Sequence, residues 1–127
     1  MDAQQELFTM LKESIEKLGF AVYDGFLPPE GTAYPFVYIA DFTQDETDTK
    51  NGVYGRVHPV IHVWHNSPRQ RGTVSAMLAQ IKNVCRYISH TNNHSWTVSN
   101  FNQRIFADSS TKTPLLHGVI EADFLFS

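Results

Sequence analysis

The stretch Pro35-Phe36-Val37-Tyr38-Ile39-Ala40-Asp41 decides the fold of this chain, together with the run from Val57 to Trp64. Both runs are rich in β-branched and aromatic residues, which is typical of β-strands. The polar run from Thr43 to Gly52 between them is longer than the roughly two to five residues of most hairpin loops. We therefore expect two strands joined by a long, charged loop, with any function on that loop and on the surfaces beside it.

The length and composition indicate one soluble domain. The chain has 127 residues, of which 42% are hydrophobic and 18% charged, as in globular proteins. A net charge of -3 argues against binding of nucleic acid over the whole protein surface. No apolar run is long enough to cross a bilayer. Cys85 is the single cysteine, and the N-terminus lacks the pattern of a signal peptide. We expect synthesis in a cytoplasm, with no membrane partner and no specific nucleic acid.

Two segments have the apolar spacing of amphipathic helices. In Asp2 to Leu18, hydrophobic residues recur every three or four positions, with Asp2 as candidate N-cap and Gly19 at the C-terminal stop. In Gly72 to Ser89 a second stripe includes Cys85, where a cysteine acts as a small hydrophobic residue and not as a catalytic thiol. The predicted core includes Leu11, Ile15, Leu78, Ile81 and Phe124.

Further strands are predicted on both sides of the second helix. Phe20 to Tyr23 forms a short strand, one or two strands lie between Trp96 and Ala107, and His117 to Phe126 closes the chain. Two helices can cover only one face of such a sheet. The sequence therefore predicts an α+β, two-layer fold, with a mixed, mostly antiparallel sheet of four to five strands and two main helices packed on one face.

Two details of this sheet bear on function. Pro59 cannot donate to a strand ladder, so we place it at a bulge, at an edge or beside the strand start, and expect the regular strand to begin at Val60. The face away from the helices is predicted to expose aromatic side chains, which suggests a partner surface. These side chains belong to Phe36, Tyr38, Phe42 and Trp64.

The sequence offers no motif for catalysis. Six histidines invite a metal hypothesis, but His90 and His94 straddle the Asn92-Asn93 helix break, and Cys-x-x-Cys and His-Glu-x-x-His motifs are lacking. Neither a Gly-x-Ser-x-Gly nucleophile motif nor a Gly-rich phosphate loop occurs. We predict a protein that is not an enzyme, with no catalytic residue, no metal site, no cofactor and no stoichiometric zinc.

Charged residues cluster around the loops. The run Asp45-Glu46-Thr47-Asp48 does not match a calcium loop and is predicted to be solvated and flexible. Arginine is enriched in protein interfaces, so the nearby arginines suit salt bridges across a subunit boundary, with phosphate contact as the alternative. The predicted assembly interface comprises Asp45, Glu46, Asp48, Lys50, Arg56, Arg69 and Arg71.

At this point the chain resembles a known family. The phrase Tyr34-Pro35-Phe36-Val37-Tyr38-Ile39 precedes a Thr- and Asp-rich segment, and His62-Val63-Trp64-His65-Asn66 leads into the second helix. The last strand runs from Leu116 to Phe126. This pattern is similar to the small tail-completion proteins of long-tailed bacteriophages, also called tail-to-head joining or tail terminator proteins.

The resemblance implies a structural role in virion assembly, with residues 1–127 forming a single tail-completion-like domain. Proteins of this family form a ring, typically of six subunits, that caps the tail tube and joins it to the head connector. The expected partners are copies of the same chain, the tail tube protein and the head connector protein, within a virion assembled in the bacterial host. The alternative is a small ligand-, nucleic-acid- or metal-binding α+β domain, which metal analysis and a salt titration of DNA binding would distinguish.

Overall fold

The computed structural model describes residues 2–26 and 28–127. Its elements follow the predicted order of a helix, a short strand, two strands, a helix and two strands. They are α1 (Ala3–Glu16), β1 (Val22–Asp24), β2 (Phe36–Thr49), β3 (Gly52–His65), α2 (Arg71–Tyr87), β4 (Trp96–Asp108) and β5 (Leu115–Phe126).

The five strands form one sheet in the order β1-β2-β3-β5-β4. Strand β1 runs parallel to β2, and all other neighbours are antiparallel. Helix α1 contacts β1 and β2, and helix α2 contacts β3, β4 and β5. The predicted α+β class, with two helices on a mixed, mostly antiparallel sheet, is confirmed. None of the helices in the described residues is long and apolar enough to span a bilayer.

The core between helices and sheet contains the residues expected there. Leu11, Ile15, Leu78, Ile81 and Phe124 are each 0% exposed, which confirms the predicted apolar stripes. Asp2 caps α1, since its side chain accepts a hydrogen bond from the backbone N–H of Gln4. Cys85 is buried among these residues, and burial raises the pKa of its thiol to about 12.

The segment from Thr43 to Gly52 is not a loop, so that prediction is wrong. Strands β2 and β3 pair along their whole length, down to Thr49 opposite Gly52, and only Lys50 and Asn51 form the turn. Alternating threonines in β2 favour an extended backbone, because β-branched side chains fit a pleated strand. Gly52, with a φ of 150°, supplies the turn conformation that other residues rarely adopt. The charged side chains of this segment therefore belong to a strand and not to a flexible loop.

The expected start of the regular strand at Val60 is also wrong, since β3 begins at Gly52. Pro59 lies inside this central strand and pairs with Phe42 of β2. On the other side of β3, pairing with β5 is present at Val57 and resumes at Val60. The missing N–H of proline thus falls where the β3–β5 ladder is interrupted.

A β-bulge in β2, between Ile39 and Asp41, decides which side chains reach the open face of the sheet. One extra residue reverses the alternation of the strand beyond it. Phe42 consequently packs against Phe8 of α1, with ring centroids 5.7 Å apart, so its predicted place on the open face is wrong. The other three predicted aromatics lie on the open face, as Phe36 pairs with Trp64, and Tyr38 pairs with His62. Tyr38 and Trp64 are partly exposed there, but Phe36 is buried, so its predicted exposure is wrong.

Candidate functional site

A hairpin arm projects from one end of the sheet. Gly55 opposite Phe126 is the last pair between β3 and β5 at this end, and beyond it β2 and β3 pair with each other. We define the hairpin arm as residues 47–54. Its paired rows and turn extend roughly 10–15 Å past the sheet. Every residue of the arm is exposed, including Val53 at 47% and Tyr54 at 51%.

An ion pair lies at the base of the arm. Arg56 Nη2 is 2.7 Å from Asp45 Oδ2, and Arg56 Nη1 is 3.7 Å from Asp123 Oδ1. The hydrogen bond with Asp45, followed by the charge of Asp123, raises the pKa of Arg56. The sequence predicts that the acidic run pairs with these arginines across a subunit boundary. The structure instead brings Asp45 and Arg56 together within one chain.

The remaining residues of the predicted interface fall into two groups. Glu46, Asp48 and Lys50 are exposed on or beside the arm. Arg69 and Arg71 lie at the start of α2, at the opposite end of the sheet, because the 14-residue strand β3 separates the two ends. That strand spans roughly 40 Å. The interface itself stays a prediction.

The open face carries a cluster that the sequence analysis did not identify. Trp64 stacks on His117 with ring centroids 3.7 Å apart, and Phe106 packs on His117 at 4.8 Å. His62 Nδ1 lies 2.8 Å from His117 Nε2, within hydrogen-bonding distance. We call Trp64, His117, Phe106 and His62 the aromatic–histidine cluster. The alternation of β3, β4 and β5 places these side chains on one face, but only the strand order reveals that the three strands are neighbours.

The environment of this cluster keeps its imidazoles neutral near pH 7. Burial, followed by the charge of His62, lowers the pKa of His117 to about 4. Burial also lowers the pKa of His62, against an opposing hydrogen bond with Asp41. Two neutral rings can share one N–H···N hydrogen bond, whereas two protonated rings would repel each other. The cluster is therefore a packed polar element of the open face at neutral pH.

The histidine nearest to several carboxylates is not arranged as a metal ligand. His58 Nδ1 lies 2.8 Å from Asp123 Oδ1, while His58 Nε2 lies 3.7 Å from Glu121 Oε1. The two carboxylates thus approach opposite nitrogens of the ring and share no common centre. Within residues 2–26 and 28–127, no three His, Cys, Asp or Glu side chains are grouped as ligands of one ion.

A cavity of about 390 Å³ lies at the end of the sheet opposite the arm. Tyr34, Phe36 and Trp64 line one part of it, and the rest is lined by segment 28–32, Ser110, Thr111 and Leu115. Apolar side chains predominate in this lining. The open face therefore continues into an apolar recess at the end where α2 begins.

No protein-family model and no curated protein match the chain. Among solved structures, a chain of the virion of a native gene transfer agent particle has a similar fold. The two chains superpose with a TM-score of 0.64 over 98% of this chain and 95% of that chain. Their sequences are 15% identical, so the likeness establishes the shared fold alone. Membership of the tail-completion family remains a hypothesis.

Proposed function

We propose that this protein is a structural component of a phage-like virion, which forms a ring at the head-proximal end of the tail tube and joins the tail to the head connector. The observation that carries the proposal is the structural likeness to a virion chain, which extends over nearly the whole length of both chains. Because the likeness covers nearly the whole of both chains, it supports a role in a virion for the whole domain and not for a part of it.

The hairpin arm supports an assembly role. Its rows, such as Thr47 opposite Tyr54 and Asp48 opposite Val53, pair within the arm and are exposed. A two-stranded hairpin is marginally stable in water, and its free edges recruit further backbone partners. Contacts with another molecule would stabilise the arm. In a ring, each copy would offer the same arm to the next copy or to the tail tube.

The proposed partners can be assigned to the two ends of the sheet. Glu46, Asp48 and Lys50 surround the arm and would contact the neighbouring copy or the tail tube protein. Arg69 and Arg71 lie at the far end and would contact a neighbour or the head connector protein. The proposed assembly contains about six copies and enters the virion after synthesis in the host cytoplasm.

The chemistry of the candidate groups favours a structural role over catalysis. The Cys85 thiol is buried and has a raised pKa, so little thiolate is available as a nucleophile at neutral pH. His58 is held between carboxylates at opposite ring nitrogens, which fixes the ring. These side chains stabilise the fold. The exposed charged residues and the arm would contact the partners.

Shortening the arm tests the proposal. The variant lacks residues 47–54 and joins Glu46 to Gly55 through an Asn-Gly turn, which suits a two-residue hairpin. We expect an unchanged circular dichroism spectrum, because the deleted residues pair with one another. We also expect loss of co-sedimentation with tail tubes of the same virion, and loss of tail-to-head joining in electron micrographs.

The control is Lys112→Ala, an exposed change in the turn between β4 and β5. This variant should bind tail tubes as the unmodified protein does. Normal tube binding and joining by a folded, shortened variant would contradict the proposed role of the arm. Absence of tube binding by the unmodified protein would contradict the proposed function itself.

A further inference from the structure

The turn of the hairpin arm contains an Asn-Gly sequence. Asn51 is the only asparagine of the chain that precedes a glycine. Lys50 and Asn51 form the turn, and Gly52 begins β3 in the last row of the ladder, opposite Thr49. All four residues are exposed. The side-chain amide of Asn51 and the backbone nitrogen that follows it therefore lie together at the exposed tip of the arm.

This pair has the chemistry for a reaction between the backbone and a side chain. Asparagine is among the thermolabile residues of proteins, because the backbone nitrogen of the following residue can attack its side-chain amide. A side chain on that following residue hinders the attack. Glycine has none, and it tolerates the dihedral angles that the attack requires. The reaction therefore meets the least steric hindrance at the bond between Asn51 and Gly52.

The tip of the arm has the freedom that this attack requires. Within the described residues, neither β1 nor β5 pairs with residues 47–54. A two-stranded hairpin is marginally stable in water, and the end of a ladder opens more readily than a core strand. Opening of the row formed by Thr49 and Gly52 lets the nitrogen of Gly52 approach Cγ of Asn51.

Two other asparagines precede a backbone nitrogen that is already engaged. The nitrogen that follows Asn66 donates a hydrogen bond to His65 Nδ1 at 3.0 Å. The nitrogen that follows Asn92 donates one to Glu6 Oε1, also at 3.0 Å. Since each N–H is held away from the asparagine side chain, attack at these two sites is disfavoured.

The remaining asparagines are held by their side chains or by regular structure. The side-chain amides of Asn93 and Asn100 each donate to a carboxylate at 2.9 Å. Asn83 lies inside α2 and Asn102 inside β4, where backbone hydrogen bonds fix the main chain. Each of these four also precedes a residue with a side chain. Asn51 differs from them in its neighbour and in its exposed position at a turn.

We infer that Asn51 and Gly52 form a self-modification site, at which the folded protein converts Asn51 into isoaspartate and aspartate. The nitrogen of Gly52 bonds to Cγ of Asn51, the Cγ–Nδ2 bond breaks, and the amide leaves as ammonia with the proton of the Gly52 N–H. Water then opens the resulting succinimide ring. Cleavage between the ring nitrogen and the main-chain carbonyl gives isoaspartate, and cleavage between the ring nitrogen and Cγ gives aspartate.

Both products change the arm. Each adds a carboxylate to a segment that already carries Glu46 and Asp48. Isoaspartate also adds one carbon atom to the backbone of a two-residue turn, whose length determines how the flanking strands pair. Because the arm is the proposed contact with the partners, conversion should weaken the binding of free subunits to tail tubes. This last step alone rests on the proposed function.

The hydroxyl of Thr49 restrains the reaction. Thr49 Oγ1 accepts a hydrogen bond from the Asn51 N–H at 3.3 Å and donates one to the Gly52 carbonyl at 2.9 Å. These bonds hold both reacting residues in the turn. Thr49→Val removes them, so we expect conversion about threefold faster, the factor that corresponds to one weak hydrogen bond. An unchanged rate in this variant would show that Thr49 has no part in the reaction.

Incubation of the purified protein in mildly alkaline buffer tests the site, because hydroxide promotes loss of the N–H proton. Digestion with pepsin at low pH, chromatography and mass spectrometry then measure both products at each asparagine. We expect Asn51 to convert at least about tenfold faster than any other asparagine. Asn51→Gln should lose this conversion, because glutamine forms the larger six-membered ring much more slowly. Asn66→Gln is the matched control and should convert Asn51 at the unmodified rate.

Conversion of Asn51 no faster than that of the other asparagines would overturn the inference, as would an equal mass rise in the same peptide of Asn51→Gln. Isomerisation of Asp24, which also precedes a glycine, changes no mass and is not counted. Incubated protein should co-sediment with tail tubes less than fresh protein, whereas incubated Asn51→Gln should bind as before. Full tube binding by converted protein would count against the proposed role of the arm and leave the modification site in place.

Discussion

Asp45 and Arg56 face each other across the β2–β3 hairpin, with Asp45 Oδ2 2.7 Å from Arg56 Nη2, at the row where the hairpin arm leaves the sheet. Asp123 of β5 approaches the same guanidinium at 3.7 Å. One cation thus links the arm strands to the neighbouring strand. This contact supplements the backbone ladder at the base of the arm.

Reversing the charge at position 56 should destabilise the base of the hairpin arm. Arg56→Glu places a third carboxylate beside Asp45 and Asp123, so we expect a lower midpoint of thermal unfolding at low ionic strength. Added salt should recover part of the loss, because it screens exposed charges. Lys50→Glu makes the same change in net charge at the exposed turn, and its midpoint should stay near that of the unmodified protein. Equal behaviour of the two variants would show that the ion pair does not stabilise the base.

The wrong predictions about β2 have a common physical origin. The segment from Thr43 to Gly52 has the charge of a loop, but its partner strand supplies the backbone hydrogen bonds that make it a strand. Partner strands are not visible in local composition. The bulge after Ile39 is equally hidden, and it alone sends Phe42 to the helix face. The helices were predictable because their apolar spacing and caps are local properties.

Some candidate site residues can be recognised from the local sequence, whereas others depend on which strands pair. The charges of Glu46 and Asp48 could be recognised in the sequence, since charge runs are local. The contact of His62 with His117 depends on the pairing of β3 with β5, which brings together residues far apart in the chain.

Gly118 allows α2 to approach the sheet. A Cβ atom at this position would lie 2.7 Å from Val74 Cγ1 and 3.2 Å from Leu78 Cδ1, both in the core. We expect Gly118→Ala to reduce the free energy of unfolding by about 1–3 kcal/mol, the usual cost of overpacking. Urea denaturation measures this free energy of unfolding. Gly72→Ala, where a Cβ meets no atom within 4 Å, should be neutral or slightly stabilising. A neutral Gly118→Ala would show that the helix shifts without cost.

Glu6 joins α1 to the connection between α2 and β4. Its carboxylate is 6% exposed and accepts hydrogen bonds from Thr91 Oγ1 at 2.6 Å and from the backbone N–H of Asn93 at 3.0 Å. His94 Nδ1 lies 3.2 Å away. The hydrogen bond from Thr91, aided by those from Asn93 and by the nearby His94 imidazole, lowers the pKa of Glu6 to about 2 against the opposing effect of burial.

This lowered pKa predicts acid sensitivity below pH 4.5. The unfolded chain binds the proton near the ordinary pKa of 4.5, whereas the folded chain binds it near 2. The stabilisation is therefore complete above pH 4.5 and is lost as the pH falls toward 2. Glu6→Gln should be less stable at pH 6 and should lack this part of the pH dependence in urea denaturation. Glu13→Gln, an exposed control on the same helix, should retain it. An unchanged pH profile for Glu6→Gln would contradict the prediction.

His117 predicts a second, separate acid window. Its pKa is about 4 in the folded protein against an ordinary value of 6.5, so protons bind the unfolded chain first as the pH falls. The neutral ring thus stabilises the fold fully above pH 6.5, and this contribution is lost progressively between pH 6.5 and 4. The charged or titrating groups that face it are His62, Arg104 and Asp108.

We expect His117→Phe to remove most of the loss of stability between pH 6.5 and 4. Phenylalanine can stack on Trp64 and Phe106 but cannot bind a proton, so urea midpoints at pH 7 and pH 5 should differ less than in the unmodified protein. His90→Gln, an exposed control, should keep the original difference. Part of the dependence should survive in His117→Phe, because burial also lowers the pKa of His62. If His117→Phe loses as much stability as the unmodified protein between pH 7 and pH 5, protonation of His117 is not the cause of acid sensitivity on the open face.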